Sequence, residues 1–260
     1  MTISFSANLG FLWTDLPLPD AILAAGASGF DAVECHMPFA FPASEVVDAL
    51  HEAGLEMLTL NTRLGPHGLD DFGLTAQPGR ESEARENIDE AIVYAVEIGC
   101  RKINVLAGRT GGTEEADAIY RANLSYATEQ AAKPGVTILI EPISGMDDYH
   151  LTHVGHAVDT IEAVGADNLK ILFDCFHTQI VEGEVVKTLE RSLSHVGHVQ
   201  FASVPDRTEP DHGDLDYSIV LPALVDVGYD GLFGAEYHPR SDVFEGLTWL
   251  ESWREKETTS

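Results

Sequence analysis

Four short apolar segments of the chain each deliver one oxygen-bearing side chain at or near their carboxyl end. The segments are TILIEP, LKILFD, HVGHVQ and LFGAEY, and the side chains are Glu141, Asp174, Gln200 and Glu236. A continuous apolar run is typical of a strand that is buried on both faces of a parallel sheet. If such a sheet closes into a barrel, the carboxyl ends of its strands converge at one mouth. We therefore expect the four side chains to meet there.

These side chains offer only oxygen ligands, which suit Mg²⁺ or Mn²⁺ better than zinc or copper. Carboxylates placed together repel one another, so a divalent cation relieves a charge that would otherwise raise one of their pKa values. The alternative is that each side chain caps a helix or pairs with one of the few basic residues. Four such residues behind four apolar strands favour a metal site over four unrelated structural roles.

The histidines add less to this pattern. His177 lies three residues after Asp174, where it either contacts a substrate oxygen or has a structural role. Stacking on one helix face explains the spacing of His150, His153 and His156 better than a metal site does. The chain has no GxSxG elbow, no GxGxxG fingerprint and no obvious Ser/His/Asp set, which disfavours acyl transfer and dinucleotide-dependent hydride transfer.

The elements that must position these side chains alternate along the chain. Strand and helix patterns alternate eight times without a break in composition, which predicts one α/β domain, a (β/α)₈ TIM barrel, over residues 1–260. Two long connections, 61–79 and 203–217, are typical of functional lids or flexible inserts. Glu34 ends the second predicted strand, where it either faces the mouth or forms structural hydrogen bonds.

Composition limits the partners and the location of the protein. Acidic residues outnumber basic ones by 43 to 15, a net charge of −28, so nucleic-acid binding is not expected. This acidity fits either a salt-adapted protein or an ordinary acidic enzyme. Three widely spaced cysteines without a CxxC pair argue against disulfides and thiolate zinc sites, and for a reducing compartment.

No Lys or Arg precedes Arg63, and no apolar run approaches the ~20 residues that span a bilayer. We therefore expect a cytoplasmic protein without membrane contact. The sequence leaves open whether it forms a homo-oligomer.

The chain resembles the hydroxypyruvate isomerase family, within the xylose-isomerase-like barrels. The resemblance covers nearly the whole chain, in the segments FSANLGFLW, PGRE, KINVLAG, LIEPI, FDCFHTQ, GHVQFA, PDRTEPDHGDLDY and GAEYHPR. By this resemblance, Glu141 of the IEP segment and Glu236 of the EY segment are the catalytic pair. The same two glutamates hold a divalent metal together with Asp174 of the DxxH segment and Gln200 of the HxQ segment.

The resemblance implies an isomerase of carbohydrate metabolism that interconverts hydroxypyruvate and 2-hydroxy-3-oxopropanoate, also called tartronate semialdehyde. One glutamate removes the proton beside the carbonyl, and the other returns a proton to the adjacent carbon of the enediolate. The metal, Mg or Mn, stabilises that enediolate as a Lewis acid. Arg80, His177 and Arg207 are the candidates that bind the carboxylate and hydroxyls of this small-molecule substrate.

Other substrates and other classes of protein stay open at this point. The DRTEP segment and the Asn61-Thr62 pair are similar to the 2-oxo-tetronate isomerases, which act on a four-carbon acid. Related sugar 3-epimerases usually have His at the position of Gln200. Departures from the hydroxypyruvate isomerase pattern bear on the substrate, and they are Ser144, Asp211, His212, Asp214 and His238. The further alternatives are a non-catalytic barrel that binds sugar acids, a dehydratase, and a barrel endonuclease.

Overall fold

A computed structural model describes residues 3–258, and these residues contain eight parallel strands. They are β1 (Phe5–Asn8), β2 (Ala32–Cys35), β3 (Met57–Asn61), β4 (Lys102–Asn104), β5 (Thr137–Ile140), β6 (Leu169–Asp174), β7 (Val196–Phe201) and β8 (Phe233–Ala235). Each strand pairs with the next one along the chain, and β8 pairs with β1, so the sheet is closed. The predicted (β/α)₈ TIM barrel is confirmed.

Each strand is followed in sequence by one or two helices, which cover the outside of the barrel. They are α1 (Leu18–Ala27), α2 (Ala43–Ala53), α3 (Glu81–Ile98), α4 (Glu114–Ala132), α5 (Val154–Val164), α6 (Cys175–Val181), α7 (Val185–Ser192), α8 (Tyr217–Asp226), α9 (Val243–Gly246) and α10 (Thr248–Thr258). None of the helices among residues 3–258 is both long enough and apolar enough to cross a membrane. The short helix α6 was not predicted from the sequence.

Glycines in the left-handed conformation end three of the described helices, α2, α3 and α5. Gly54 follows α2 with φ of 68°, and Gly99 follows α3 with φ of 75°. This left-handed conformation costs glycine little because it has no Cβ atom, and it ends a helix by redirecting the chain. Each of these helices can therefore stop and lead back into the next strand of the barrel.

A buried polar cluster fills the inside of the barrel beneath its carboxyl-terminal mouth. Glu34 accepts hydrogen bonds from the hydroxyl of Ser6 and from Nε2 of Gln200 (2.8 Å), and its Oε1 lies 2.8 Å from Nε2 of His198. Burial by itself would raise the pKa of this carboxyl, but His198 and the hydrogen bonds outweigh burial and lower the pKa to about 2. Of the two roles considered for Glu34, the structure shows the hydrogen-bonded one.

Gly234 in β8 makes room for this cluster. Along the sheet, Asp174 of β6 is opposite Gln200 of β7, and Gln200 is opposite Gly234. A Cβ atom at Gly234 would lie 2.2 Å from Oε1 of Glu34 and 2.9 Å from Cγ of Gln200. Both distances are well inside van der Waals contact, so a larger residue would displace the side chains directly beneath the mouth.

The substitution Gly234→Ala is expected to lower the free energy of unfolding by about 1–3 kcal/mol, the usual cost of overpacking a close-packed interior. Urea unfolding followed by circular dichroism measures this change. The control is Gly155→Ala in α5, where an added Cβ meets no atom within 4 Å and alanine favours the helix. Equal stability of wild type and Gly234→Ala would show that the glycine has no steric role.

Candidate active site

The four side chains predicted to meet are all buried and all belong to the same mouth of the barrel. Asp174 and Gln200 lie in β6 and β7, whereas Glu141 and Glu236 directly follow β5 and β8. Ligand atoms of Glu141, Asp174 and His177 lie within 4.8 Å of one another. Arg207 links Asp174 to Glu236, and Gln200 lies opposite Asp174 in the sheet, so the carboxyl ends of these strands meet at one place as expected for a closed parallel barrel.

Glu141 is held at the mouth by a single hydrogen bond. Its Oε2 accepts from Nδ2 of Asn104 at the end of β4 (2.7 Å), and its Oε1 lies 3.9 Å from Nε2 of His177. Burial raises the pKa of Glu141 well above its usual range, and repulsion from Glu236 and Asp174 raises it further. One amide donor does not replace the water that this carboxylate has lost.

Asp174 uses its two oxygens differently. Oδ1 accepts a hydrogen bond from the backbone N–H of Phe176 (2.7 Å) and so caps α6. Oδ2 faces the mouth and lies 3.2 Å from Nη2 of Arg207. Burial raises the pKa of Asp174 to about 7, although the attraction of Arg207 opposes this shift. The capping role and the site role, which the sequence presented as alternatives, coexist in one side chain.

Glu236 has more polar neighbours than Glu141 has. Its Oε1 accepts from Nδ2 of Asn8 (3.2 Å) and lies 2.9 Å from Nε2 of His36, and its Oε2 accepts from Nη2 of Arg207 (3.1 Å). The sequence analysis did not include Asn8 and His36 among the site residues. The position of a polar residue at a strand end would have identified both, since Asn8 is the polar end of β1 and His36 directly follows β2.

The side-chain amide oxygen of Gln200 is buried and makes no hydrogen bond within the described residues. Its amide must donate to the carboxylate of Glu34, which fixes Nε2 on that side and identifies the other atom as Oε1. Burying an unpaired carbonyl oxygen is unfavourable, so this atom fits a cation ligand better than a structural role.

Arg207 lies over the carboxylates in the connection after β7. Its Nη2 bridges Asp174 and Glu236, and its guanidinium lies between the rings of Phe11 and Phe176, at 5.1 and 5.0 Å from their centroids. Its backbone has the left-handed φ of 56°, which a non-glycine residue rarely adopts. Its Nε is buried without a hydrogen-bond partner in residues 3–258. Arg207 is thus rigidly placed and keeps a donor for a ligand.

His177 in α6 is fixed as a neutral donor. Its Nδ1 accepts a hydrogen bond from the backbone N–H of Ser144 (3.0 Å), which places the ring proton of the neutral form on Nε2. That Nε2 faces Oδ2 of Asp174 at 3.6 Å and Oε1 of Glu141 at 3.9 Å. Burial lowers the pKa of His177 well below its usual range, and the charge of Arg207 lowers it further. A protonated Nε2 suits hydrogen bonding to a substrate oxygen rather than metal ligation.

Arg80 lies apart from these residues. It precedes α3, and its guanidinium pairs with Asp71 (2.9 Å) and with Glu83 (2.7 Å). It is not among the residues that line the cavity at the mouth. The contact between Arg80 and a substrate therefore stays a prediction, and the observed pairs connect the segment 61–79 to α3.

A cavity of about 420 Å³ opens beside the carboxylates. Glu141, His177, Arg207 and Glu236 form its polar wall, with His36, Asn61 and His238. The apolar wall consists of Phe11, Met37, Leu64, Leu69, Phe72, Leu106 and Ile143. Leu64, Leu69 and Phe72 come from the long connection 61–79 and Arg207 comes from 203–217, so both predicted functional loops contribute to the site. A volume of this size accommodates a small ligand.

The raised pKa of Asp174 leads to a pH-dependent difference in stability between wild type and Asp174→Asn. Because the folded state holds this proton more tightly than the unfolded chain does, wild type loses stability as the pH rises from the unfolded pKa of 3.8 through about 7. Asparagine carries no such proton. In EDTA, the melting temperature of Asp174→Asn relative to wild type should rise over this range.

Melting curves recorded between about pH 4 and about pH 8 measure this effect. The control is Asp48→Asn on the exposed face of α2, which makes the same substitution away from the mouth. An offset between Asp174→Asn and wild type that does not change with pH would contradict the raised pKa.

The chain is similar in sequence to known proteins. The model of a family described as xylose isomerase-like TIM barrel matches residues 22–253. The 2-oxo-tetronate isomerase of Cupriavidus necator is 40% identical over 254 residues, covering 96% of this chain and 98% of that protein. A Mus musculus protein named "Putative hydroxypyruvate isomerase" is 37% identical over 263 residues, covering 96% of this chain and 95% of its own.

A solved structure gives the same fold. The crystal structure described as AP endonuclease, family 2, from Brucella melitensis matches with a TM-score of 0.93 and 33% sequence identity. The match covers 96% of this chain and 99% of that one.

Proposed function

Because the chain belongs to the xylose isomerase-like TIM barrel family and is an isomerase, we propose that it interconverts hydroxypyruvate and 2-hydroxy-3-oxopropanoate. The observation that carries this proposal is the pair of buried glutamates, Glu141 and Glu236, in the wall of one small cavity. Moving a hydrogen between adjacent carbons of a hydroxy-carbonyl compound requires one group that removes a proton and one that returns it. Two carboxyl groups facing the same cavity meet that requirement.

The surroundings of the two glutamates indicate which one acts as the base and which one as the acid. Glu236 accepts hydrogen bonds from Asn8 and Arg207 and lies 2.9 Å from Nε2 of His36, whereas Glu141 has a single amide donor and a pKa that burial raises well above its usual range. Because its raised pKa favours the protonated form, Glu141 supplies the proton to the carbonyl carbon, and Glu236 removes the proton from the adjacent hydroxyl-bearing carbon. The hydroxyl proton passes to the former carbonyl oxygen, so that the hydroxyl and carbonyl groups exchange places. In the reverse direction the roles exchange.

Two further residues hold the substrate in this proposal. His177 donates its Nε2 proton to a hydroxyl or carbonyl oxygen, because Ser144 keeps the other ring nitrogen as an acceptor. Arg207 binds the substrate carboxylate with the guanidinium donors that Asp174 and Glu236 do not use, including the unpaired Nε. The apolar wall of the cavity excludes water from the proton that is transferred.

The donor set also fits a divalent cation, Mg²⁺ or Mn²⁺. Oxygen atoms of Glu141, Asp174, Gln200 and Glu236 would hold it, and the buried, unpaired Oε1 of Gln200 is the observation that supports this fit. When bound, the cation would supply Lewis-acid stabilisation of the negative charge that develops on the substrate oxygens.

A four-carbon 2-oxo acid is the second candidate substrate. The relative from Cupriavidus necator is a 2-oxo-tetronate isomerase, and Asn61 of the Asn61-Thr62 pair lines the cavity. Both acids combine a carboxylate, a carbonyl and a hydroxyl, so the same residues can serve either reaction. Steady-state kinetics with both compounds decides between them, since turnover of the four-carbon acid alone would assign the chain to that reaction.

Replacing either glutamate by glutamine is expected to lower kcat by about 10²–10⁴-fold, the usual contribution of a positioned acid or base. The assay follows interconversion of hydroxypyruvate and 2-hydroxy-3-oxopropanoate by Glu141→Gln and Glu236→Gln, and by wild type with and without EDTA. Glu52→Gln on the exposed face of α2 is the matched control and should retain activity. Full activity of either site variant would rule out the two-carboxyl scheme, and full activity in EDTA would rule out the metal.

Arg207→Gln is expected to lower kcat/KM by about 10- to 100-fold, as loss of a charged hydrogen bond of about 1.5–3 kcal/mol would. Arg80→Gln serves as the comparison, because Arg80 lies outside the cavity lining and pairs with Asp71 and Glu83. Its expected effect is on thermal stability, with kcat/KM nearly unchanged. The reverse result would move the substrate carboxylate to Arg80.

Two other classes of function are tested alongside. The printed description of the Brucella melitensis structure names an endonuclease, so binding and cleavage of DNA with an abasic site should be measured. We expect neither, because a net charge of −28 repels the phosphate backbone. A barrel that only binds sugar acids would show saturable binding of hydroxypyruvate in calorimetry without any turnover.

A further inference from the structure

A second group of potential metal ligands lies on the rim of the barrel, outside the cavity. It consists of Asp117 in the first turn of α4, His150 in the connection between β5 and α5, and His156 in α5. We call these three residues the rim site. Oδ1 of Asp117 lies 3.2 Å from Nε2 of His150 and 3.4 Å from Nε2 of His156. The residues come from three separate elements, so the fold, not the local sequence, brings them together.

These distances match those between ligands that share one ion. Zinc binds nitrogen and oxygen ligands at roughly 2.0–2.1 Å, which places neighbouring ligands of a tetrahedral site roughly 3.3 Å apart. The two separations from Asp117, 3.2 and 3.4 Å, agree with that value, and all three ligand atoms lie within 4.8 Å of one another. An ordinary hydrogen bond between an imidazole and a carboxylate is shorter, about 2.7–2.9 Å when it is charge-assisted.

The orientation of His150 supports the same conclusion. Its Nε2 is fully buried and makes no hydrogen bond within the described residues, although the carboxylate of Asp117 is only 3.2 Å away. The in-plane direction of this nitrogen therefore passes beside the carboxylate oxygen. Ligands of a shared ion have this relation, because their lone pairs point at a third position and not at one another.

His150 also has the partner that ligating histidines usually have. Its Nδ1 lies 2.9 Å from the hydroxyl of Thr110, which can accept the proton of the neutral ring and leave Nε2 as a free acceptor. The unprotonated Nε2 of this tautomer is the form of the ring that ligation requires.

We propose that Asp117, His150 and His156 form a second metal site, separate from the active site, that binds a borderline divalent transition metal of the Zn²⁺ class. Two imidazole nitrogens and one carboxylate oxygen suit such ions, whereas the mouth of the barrel offers oxygen ligands suited to Mg²⁺ or Mn²⁺. The side chains of Asp117 and His156 are 30% and 33% exposed, so the ion can enter from solvent. The rim site joins α4 and α5 to the connection that carries Ser144, the residue that orients His177.

The test measures Zn²⁺ binding to the full-length protein after chelation, in excess Mg²⁺ to occupy the oxygen ligands at the mouth. Isothermal titration calorimetry compares wild type with Asp117→Asn and His156→Gln. The control is His153→Gln, which removes an exposed histidine three residues from His156 that is not part of the rim site. Circular dichroism verifies that each variant is folded.

Wild type and His153→Gln should bind one more equivalent of Zn²⁺ than the two rim variants, or bind it more than about tenfold more tightly. Loss of an outer partner alone typically costs about 10–100-fold in affinity, and loss of a ligand costs more. Equal stoichiometry and affinity in all four proteins would overturn the proposal.

A second measurement does not depend on the variants. Wild type loaded with one equivalent of Cu²⁺ in excess Mg²⁺ should show nitrogen hyperfine splitting from two imidazoles in its electron paramagnetic resonance spectrum. A spectrum with oxygen ligands alone would also overturn the rim site.

Discussion

The mouth of the barrel contains three buried carboxylates whose negative charge one arginine only partly balances, and the rest of the site depends on this imbalance. Glu141, Asp174 and Glu236 are all withdrawn from water, and Arg207 is the cation that pairs with two of them. Three carboxylates and one guanidinium leave a formal charge of −2, which a divalent cation would balance. The raised pKa values of Glu141 and Asp174 have the same origin, because burial and mutual repulsion both favour the protonated forms.

The layer beneath the mouth determines where this charge is placed. Glu34 is fully buried but well paired, and it holds the amide of Gln200 so that Oε1 remains unpaired. Gly234 leaves the space in which these two side chains fit. A satisfied polar cluster is rigid because each of its members loses hydrogen bonds if it moves. The barrel therefore supports its reactive side chains on a fixed polar layer as well as on its strands.

Much of this arrangement could be predicted from the sequence, because the ends of apolar strands mark one face of a barrel. That rule located Glu141, Asp174, Gln200 and Glu236, and applied more widely it would have included Asn8 and Asn104. It could not show which oxygens are paired, since Asp174 caps α6 through one oxygen and faces Arg207 through the other. The sequence analysis considered a metal site at His150, His153 and His156 and disfavoured it, because the pattern did not show a further ligand. His150 and His156 meet Asp117 only when α4 packs beside α5, and local spacing contains no trace of that contact.

The sequence by itself determined the barrel, the strand ends that carry oxygen ligands and the acidic character of the protein, because periodicity and composition are properties of the chain alone. Only the tertiary structure decided the protonation and pairing of those ligands. It placed Arg207 over the carboxylates and Arg80 outside the cavity lining, and it turned His177 into a donor through Ser144. Burial, distance and direction set these properties, and they exist only after residues far apart in sequence have come into contact.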